Sequence, residues 1–186
     1  MDEAVANHAV LGNQLWRDGI EDAGEAGAQI RRAVGASIEA TKLREFNTLG
    51  VVLGYRYDDS PVILSDGTRR SPPDFLNYVP SAHPGCLAPH AWLHDGTSLY
   101  DHFGPGFTLL ATEAAAAADI DRACWDFAVA GIPLHVLRPR EPAIADLYQA
   151  RYALIRPDQH VAWRGNEWPG RTAQLPHRVA GCELPG

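Results

Sequence analysis

Two histidines are the first side chains whose spacing could support chemistry. His90 and His94 stand four residues apart, the spacing that places two imidazoles on one helical face in zinc proteases. Pro89 precedes the pair, Asp95-Gly96 follows it, and no glutamate lies between them. This composition favours an extended chain that ends in a turn. We therefore predict no metal site here.

A second pair combines a carboxylate with an imidazole. Asp158 and His160 could exchange a proton with a substrate as an acid–base pair. They follow Pro157, however, and an aspartate in a proline-containing hairpin turn is ordinary. The sequence therefore predicts no catalytic residue at this pair.

The cysteines are the remaining candidates. Cys86, Cys124 and Cys182 stand far apart and form no Cys-x-x-Cys motif, so neither a disulfide framework nor a zinc site is indicated. We interpret them as buried or incidental thiols. A thiol enzyme that uses Cys86 or Cys124 is the least favoured hypothesis for the chain.

Composition excludes several function classes. The 186 residues, 46% hydrophobic and 21% charged, suffice for one core and a smaller appendage. A net charge of −7 repels phosphate backbones, so nucleic acid is not an expected partner. No apolar run approaches the roughly 18 residues that cross a bilayer. Residues 1–4 lack the basic and apolar stretches of a signal peptide, so we expect a cytoplasmic protein without a membrane partner.

The elements that must position these side chains are clearest in residues 90–186. There an opening hairpin is followed by strand, helix, strand, short helix, β-hairpin and a last helix. A strand–helix–strand unit makes a parallel pair, and a hairpin adds antiparallel strands to the same sheet. We predict an α/β fold, a thioredoxin-like sandwich with a mixed central sheet flanked by helices. The predicted strands are Phe107–Leu110, Leu134–Leu137, Tyr152–Arg156 and His160–Arg164.

The first half of the chain reads differently. Helical patterns over residues 4–17 and 28–46 predict an N-terminal helical hairpin, and the β-branched and aromatic residues 51–57 predict a strand. Residues 65–89 are rich in proline and glycine and predict an extended connection. We therefore divide the chain into an N-terminal helical segment 1–50, a strand and linker 51–89, and a thioredoxin-like domain 90–186.

Several motifs, taken together, give the chain a family resemblance. Pro84-Gly-Cys-Leu-Ala-Pro-His90, then Phe103-Gly104, and then Arg156-Pro-Asp-Gln-His-Val-Ala-Trp-Arg164 resemble the C-terminal part of the FAD-dependent aromatic hydroxylases. These are flavoprotein monooxygenases of the phenol hydroxylase and polyketide hydroxylase type. The similarity runs from about Ala28, in a segment that resembles the closing helices of the FAD and substrate part, to about Arg164.

The resemblance implies FAD and NAD(P)H for the full-length family, but this chain lacks the FAD-binding motifs. It has no Gly-x-Gly-x-x-Gly turn and no Gly-Asp motif, with which the family receives the FAD pyrophosphate and ribose. Because oxygen activation belongs to the flavin, we expect this domain or fragment of a hydroxylase to be non-catalytic alone. The sequence assigns it no cofactor and no cofactor-binding residue.

Thioredoxin chemistry is also not expected. It needs a low-pKa cysteine where the helix begins after the first central strand, and Ala111-Thr112-Glu113-Ala114 hold that place. Cys124 comes more than two turns later, on the apolar face of the helix, so we expect a buried thiol. That predicted apolar face comprises Ile120, Ala123, Cys124, Phe127 and Ala128.

The resemblance also implies partners. In the family this domain is associated with dimer contacts and with support of the FAD part, so we expect a homo-oligomer or a complex with a separate FAD-binding polypeptide. Two faces are predicted to be left uncovered, one at Ile30, Val34 and Ile38 and one at Tyr55 and Tyr57. The alternative is a stand-alone protein that binds aromatic or polyketide molecules without redox chemistry.

Overall fold

A computed structural model describes residues 5, 9, 17–46, 48–169 and 174–182. The first predicted helix, residues 4–17, lies almost entirely outside the described residues. The described chain forms two compact units. The first contains the N-terminal helices and Asp74–Tyr78, and the second contains Leu53–Pro73 and everything from Val79 onward. Among the described residues, no helix combines the length and the apolar composition that a membrane span needs.

The first unit is built on helix α1, Glu25–Phe46, which confirms the helix predicted at residues 28–46. The prediction that Ile30, Val34 and Ile38 form an uncovered face of this helix is wrong. Val34 is buried, and Ile30 and Ile38 are half-buried. Part of the cover of Ile30 comes from the turn that precedes α1, where a Cβ on Gly19 would stand 3.0 Å from Ile30. Arg31 donates from its guanidinium to the carbonyl oxygens of Ile20 and Asp22 in this turn, at 2.8 and 3.0 Å. That turn folds back against the helix.

A short helix α2, Leu49–Val52, replaces the start of the strand predicted at residues 51–57. The amides of Val51 and Val52 donate to the carbonyl oxygen of Thr48, at 2.9 and 3.0 Å, so the β-branched composition is overridden. A Cβ on Gly50 would stand 1.8 Å from the carbonyl oxygen of Asp74. This close approach requires glycine. Of the predicted strand there remains only an isolated bridge between Arg56 and Cys86.

The second unit is organised by a four-stranded mixed sheet in the order β2-β1-β3-β4. Its β1 and β2 are parallel, whereas β1 with β3 and β3 with β4 are antiparallel. The mixed α/β sheet predicted from the sequence is confirmed. The strands are β1 Phe107–Ala111, β2 Leu134–Leu137, β3 Tyr152–Ile155 and β4 Val161–Gly165, and the helices are α3 Ala117–Val129, α4 Pro142–Tyr148, α5 Gln174–Ala180 and a 3-10 helix Leu99–His102.

The hairpin of β3 and β4 closes at the predicted turn. The amide of Arg156 donates to the carbonyl oxygen of His160 at 2.8 Å, and that of Gln159 donates to the carbonyl oxygen of Arg156 at 2.9 Å. Gln159 has φ of +65°, a left-handed conformation that closes the turn. Every residue of β3 is buried. The hairpin therefore lies inside the unit and has cover on both faces.

Two cores fill the two faces of the sheet. On one face Leu109 and Leu154 pack with Phe127 of α3, and on the other Leu110 and Ile155 pack with Tyr148 of α4. Neighbouring residues of a strand point to opposite faces, so each central strand supplies both cores. This double burial explains why the strands read as continuous apolar runs.

The buried face of α3 is rotated from the predicted one. Asp119, Ala123 and Phe127 are buried, whereas Cys124 is exposed, so the prediction of a buried Cys124 is wrong. A charged residue joins the buried stripe because Asp119 accepts hydrogen bonds from the Trp168 amide at 3.3 Å and from Arg122 at 2.7 Å. A pattern that counts only apolar residues misses such a position.

Tyr152 provides the first test, because its hydroxyl group holds the start of α3. The hydroxyl accepts a hydrogen bond from the Ala116 amide at 2.6 Å and donates to the Ala116 carbonyl oxygen at 3.2 Å. Ala116 is the N-cap residue and has no side-chain cap of its own. We expect Tyr152→Phe to lower the free energy of unfolding by about 1 to 2 kcal/mol, measured in urea.

The matched control is Tyr55→Phe, which removes a hydroxyl from a half-exposed ring and should change the free energy of unfolding by less than about 0.5 kcal/mol. Equal effects of the two substitutions would contradict a capping role for Tyr152.

Candidate functional site

The two histidines of the pair have different neighbours. Residues 88–91 lie in no helix or strand and His94 lies in a turn, so the two imidazoles do not share a helical face. Nε2 of His90 lies 3.0 Å from the Ser98 hydroxyl, whereas Nδ1 of the exposed His94 lies 3.7 Å from the Glu141 carboxylate. In the part of the chain that the structure describes, no three His, Cys, Asp or Glu side chains are grouped as metal ligands would be.

The three cysteines are free thiols, with Cys86 half-buried and Cys124 and Cys182 exposed. Burial raises the pKa of the Cys86 thiol. Burial, with the nearby Asp121 carboxylate, also raises the pKa of the Cys124 thiol. A nucleophilic cysteine needs the opposite shift, because the thiolate is the reactive form. Neither thiol has the environment that a thiol enzyme requires.

A buried charge cluster joins the proline-rich connection to β4, and sequence reasoning missed it. Arg164 donates from Nε to Oδ2 of Asp66 at 2.6 Å and from a terminal nitrogen to the Tyr148 carbonyl oxygen at 3.2 Å. Nε2 of His83 lies 3.2 Å from the Thr68 carbonyl oxygen and 3.5 Å from Asp66. Asp66, His83 and Arg164 are all at least nine-tenths buried.

The electrostatics of this cluster favour the charged form of Asp66. Burial alone would raise the pKa of Asp66, but hydrogen bonds from Thr68 and Arg164 outweigh burial and lower the pKa to about 2. The cluster therefore works as a clasp that fixes the turn at Asp66-Gly67 against the sheet. Asp66-Gly67 reads as an ordinary turn in the sequence, so nothing there signals a partner 98 residues away.

An aromatic cluster of Tyr55, Tyr57 and His160 is the second buried polar feature. The ring centroids of Tyr55 and Tyr57 lie 4.9 and 4.6 Å from that of His160, and 6.1 Å from each other. The two tyrosines keep 50% and 36% of their surface exposed, whereas His160 has none. The structure thus places both tyrosine rings over one imidazole, on the chain segment where the sequence predicted an interface.

The hydrogen bonds of His160 do not form an acid–base pair with Asp158. Nδ1 lies 2.9 Å from the backbone carbonyl oxygen of Asp158 and 3.6 Å from its carboxylate. Because a carbonyl oxygen only accepts, Nδ1 carries the proton and Nε2 is left as an acceptor. Nε2 is buried and has no hydrogen-bond partner among the described residues. The Asp158 carboxylate instead accepts from Arg156.

FAD, which the resemblance implies, does not fit the turn from β1 into α3. A dinucleotide pyrophosphate needs a glycine-rich turn and free amides at the helix N-terminus. Residues 112–116 contain no glycine, and the amide of Ala116 is already bonded to Tyr152. The Glu113 carboxylate lines the 340 Å³ cavity at this edge of the sheet, together with Arg138 and Arg140. The charges that line this cavity are mixed, and the turn itself lacks the glycines that let a backbone approach a pyrophosphate, so FAD does not fit this turn.

Comparison with known proteins gives a consistent match. Residues 81–181 match the family described as "Aromatic-ring hydroxylase, C-terminal". The chain is 32% identical over 153 residues to the FAD-dependent monooxygenase apdD of Emericella nidulans, which covers 79% of this chain and 24% of that protein. It is 33% identical over 157 residues to a phenol 2-monooxygenase of a Pseudomonas species, with 74% and 25% covered.

Solved structures agree with the sequence matches. The rebeccamycin biosynthetic enzyme RebC with bound 7-carboxy-K252c superposes with a TM-score of 0.85 at 33% identity, covering 98% of this chain and 34% of that one. The flavin-dependent monooxygenase PieE in complex with FAD and substrate superposes with a TM-score of 0.72 at 28% identity, covering 97% and 36%. The chain therefore spans about a quarter to a third of the length of these relatives.

The Asp66 clasp predicts a pH dependence of stability. The folded-state pKa of about 2 lies below the ordinary value of 3.8, so the unfolded chain binds the proton more tightly. The contribution of Asp66, about 2 kcal/mol, is present above pH 4 and is lost as the pH falls toward 2. We expect the free energy of unfolding of the native chain to fall over this range, measured in urea at each pH.

Asp66→Asn should remove this part of the pH dependence. It should also cost about 3 kcal/mol at neutral pH, because it leaves the buried Arg164 guanidinium without its counter-charge. The matched control is Asp59→Asn at an exposed position, which should leave both properties unchanged. An identical acid profile for native chain and Asp66→Asn would contradict the assignment of the low pKa to Asp66.

Proposed function

Because the chain belongs to the aromatic-ring hydroxylase C-terminal family, we propose that it serves as the C-terminal, thioredoxin-like domain of an FAD-dependent aromatic-ring monooxygenase. In this proposal it is not catalytic by itself. Its role is to support an FAD-binding part of the enzyme and to make contacts between subunits. The partner is either the remainder of a longer chain or a separate FAD-binding polypeptide, and a second copy of the domain joins at the subunit contact.

The observation that carries the proposal is the amount of apolar side chain left open to solvent. In the second unit Trp125 and Val129 of α3 are 71% and 61% exposed, one helical turn apart on the same face. Trp92 is 71% exposed. A small domain rarely leaves several large apolar side chains this open unless another surface covers them. In the first unit the exposed apolar side chains include Leu43, Leu49, Val51, Val52 and Phe75.

The chemistry of the described residues supports a role without catalysis. The thiols of Cys86 and Cys124 have raised pKa values, and the turn from β1 into α3 contains no glycine in residues 112–116. His160 holds its proton against a backbone carbonyl oxygen and has no second catalytic group in hydrogen-bond contact. These residues form a sheet whose connections are held by buried hydrogen bonds and an ion pair. Such an arrangement is consistent with a supporting domain.

The proposal is tested by exchanging this domain into a relative. In RebC, the third of the chain that superposes on this protein is replaced by this protein. The temperature at which the hybrid releases its flavin is then measured by flavin fluorescence. We expect the hybrid to release flavin within about 4 °C of intact RebC, because the same supporting contacts are restored.

The control is RebC without that third, which should release its flavin at a lower temperature or retain none. Sedimentation velocity on the hybrid measures the subunit contact, which we expect to be restored as well. A hybrid that holds flavin no better than the shortened enzyme would contradict the proposed supporting role.

A further inference from the structure

We propose that the FAD-binding part docks on the aromatic cluster of Tyr55, Tyr57 and His160. In the docked complex it donates a hydrogen bond to Nε2 of His160. The inference rests on the proposed function, since it names the surface through which that function is exercised. The occupant is a protein surface that presents one N–H or O–H group framed by apolar side chains.

The unpartnered Nε2 is the first argument. Its imidazole is completely buried, its other nitrogen is bonded to the Asp158 carbonyl oxygen at 2.9 Å, and Nε2 itself finds no donor among the described residues. A buried acceptor without a donor costs about 1 to 3 kcal/mol, and nearly all such groups in native proteins are satisfied. A donor from outside this chain would remove that cost.

The two tyrosines supply the second argument. Their rings pack against the His160 imidazole, and both side chains are partly exposed to solvent. Tyr55 is 50% exposed and Tyr57 is 36% exposed. Their rings meet edge to face, at 6.1 Å and an interplanar angle of 85°. Exposed side chains of this kind change rotamer in picoseconds to nanoseconds. In the proposed complex the two rings have moved apart, and they frame the donor that reaches Nε2. Tyrosine is among the residues that most often carry the binding energy of an interface.

The position of the cluster in the chain identifies the occupant. The family match is to a C-terminal part, so the remaining two thirds of a chain such as RebC precede it. Residues 28–50 resemble the closing helices of that preceding part. Tyr55 follows Val52, the end of the N-terminal segment of the first unit, by three positions. Tyr55 and Tyr57 are therefore the first exposed aromatic residues of the second unit that follow residues 28–50 in the chain.

The experiment measures three variants in the RebC hybrid and in the isolated chain. We expect Tyr55→Ala and Tyr57→Ala to lower the flavin-release temperature of the hybrid by about 4 °C or more, the shift that the loss of an interface anchor produces. In the isolated chain, where the rings are exposed, the same substitutions should shift the unfolding temperature by less. The control is His94→Ala, which removes an exposed ring that has no part in the aromatic cluster or in the exposed apolar surface described above.

His160→Asn tests the hydrogen bond. Asparagine keeps a side-chain N–H near the position of Nδ1 and lacks an acceptor in the place of Nε2. We expect this substitution to lower the flavin-release temperature of the hybrid by more than it lowers the unfolding temperature of the isolated chain. Equal shifts in the two proteins would overturn the donor to Nε2.

The outcomes separate the two proposals. If the unmodified hybrid fails to hold flavin better than shortened RebC, the supporting role itself is overturned. If the unmodified hybrid holds flavin and the tyrosine variants shift its release temperature no more than His94→Ala does, the supporting role stands and the FAD-binding part does not dock on the aromatic cluster.

Discussion

The outer edge of β4 is the constraint on which the rest of the second unit depends. A sheet edge leaves a row of unpaired amides and carbonyl oxygens, and here the proline-rich connection satisfies them. The amides of Leu64, Gly85 and Ala88 donate to carbonyl oxygens of residues 162, 161 and 159, each at 2.8 Å, and the Val161 amide donates back to Cys86 at 2.9 Å. The connection thus pairs with part of this edge. The Asp66 clasp joins the connection to Arg164 of β4, and the aromatic cluster lies at His160, next to the first residue of β4.

Local patterns sufficed for the sheet and its helices but not for the two clusters. The two strands of the hairpin could be predicted because proline and aspartate set the turn between them. The end of α3 could be predicted because Gly131 and Pro133 stop the helix. The buried face of α3 could not, since Asp119 becomes a buried residue only through Trp168, 49 positions later. Residues 65–89, predicted to be an extended connection, contain no helix and no strand of the sheet. That Asp66 and Arg164 meet there depends on contacts across the whole unit, which spacing does not encode.

In our account the Asp66 clasp stabilises the second unit, whereas the aromatic cluster binds a partner. In the Asp66 clasp each charged group has its partner, so the clasp is complete within the chain. In the aromatic cluster one buried nitrogen, Nε2 of His160, has no partner within the part of the chain that the structure describes, and two tyrosine rings are partly exposed. In a domain that binds no partner, a hydrogen-bond donor to this buried nitrogen would increase the stability of the fold. In our account this is where a supporting domain of a flavoprotein meets the part that it supports.

The most direct test of the central claim, that this chain supports flavin chemistry without holding the flavin, is an absorbance spectrum of the purified chain before and after FAD is added, with a thermal melt at each FAD concentration. The account predicts no bound flavin and a melting temperature independent of FAD, because the turn from β1 into α3 lacks the glycine-rich sequence that receives a pyrophosphate. A yellow protein, or a melting temperature that rises with FAD concentration as mass action requires, would contradict it.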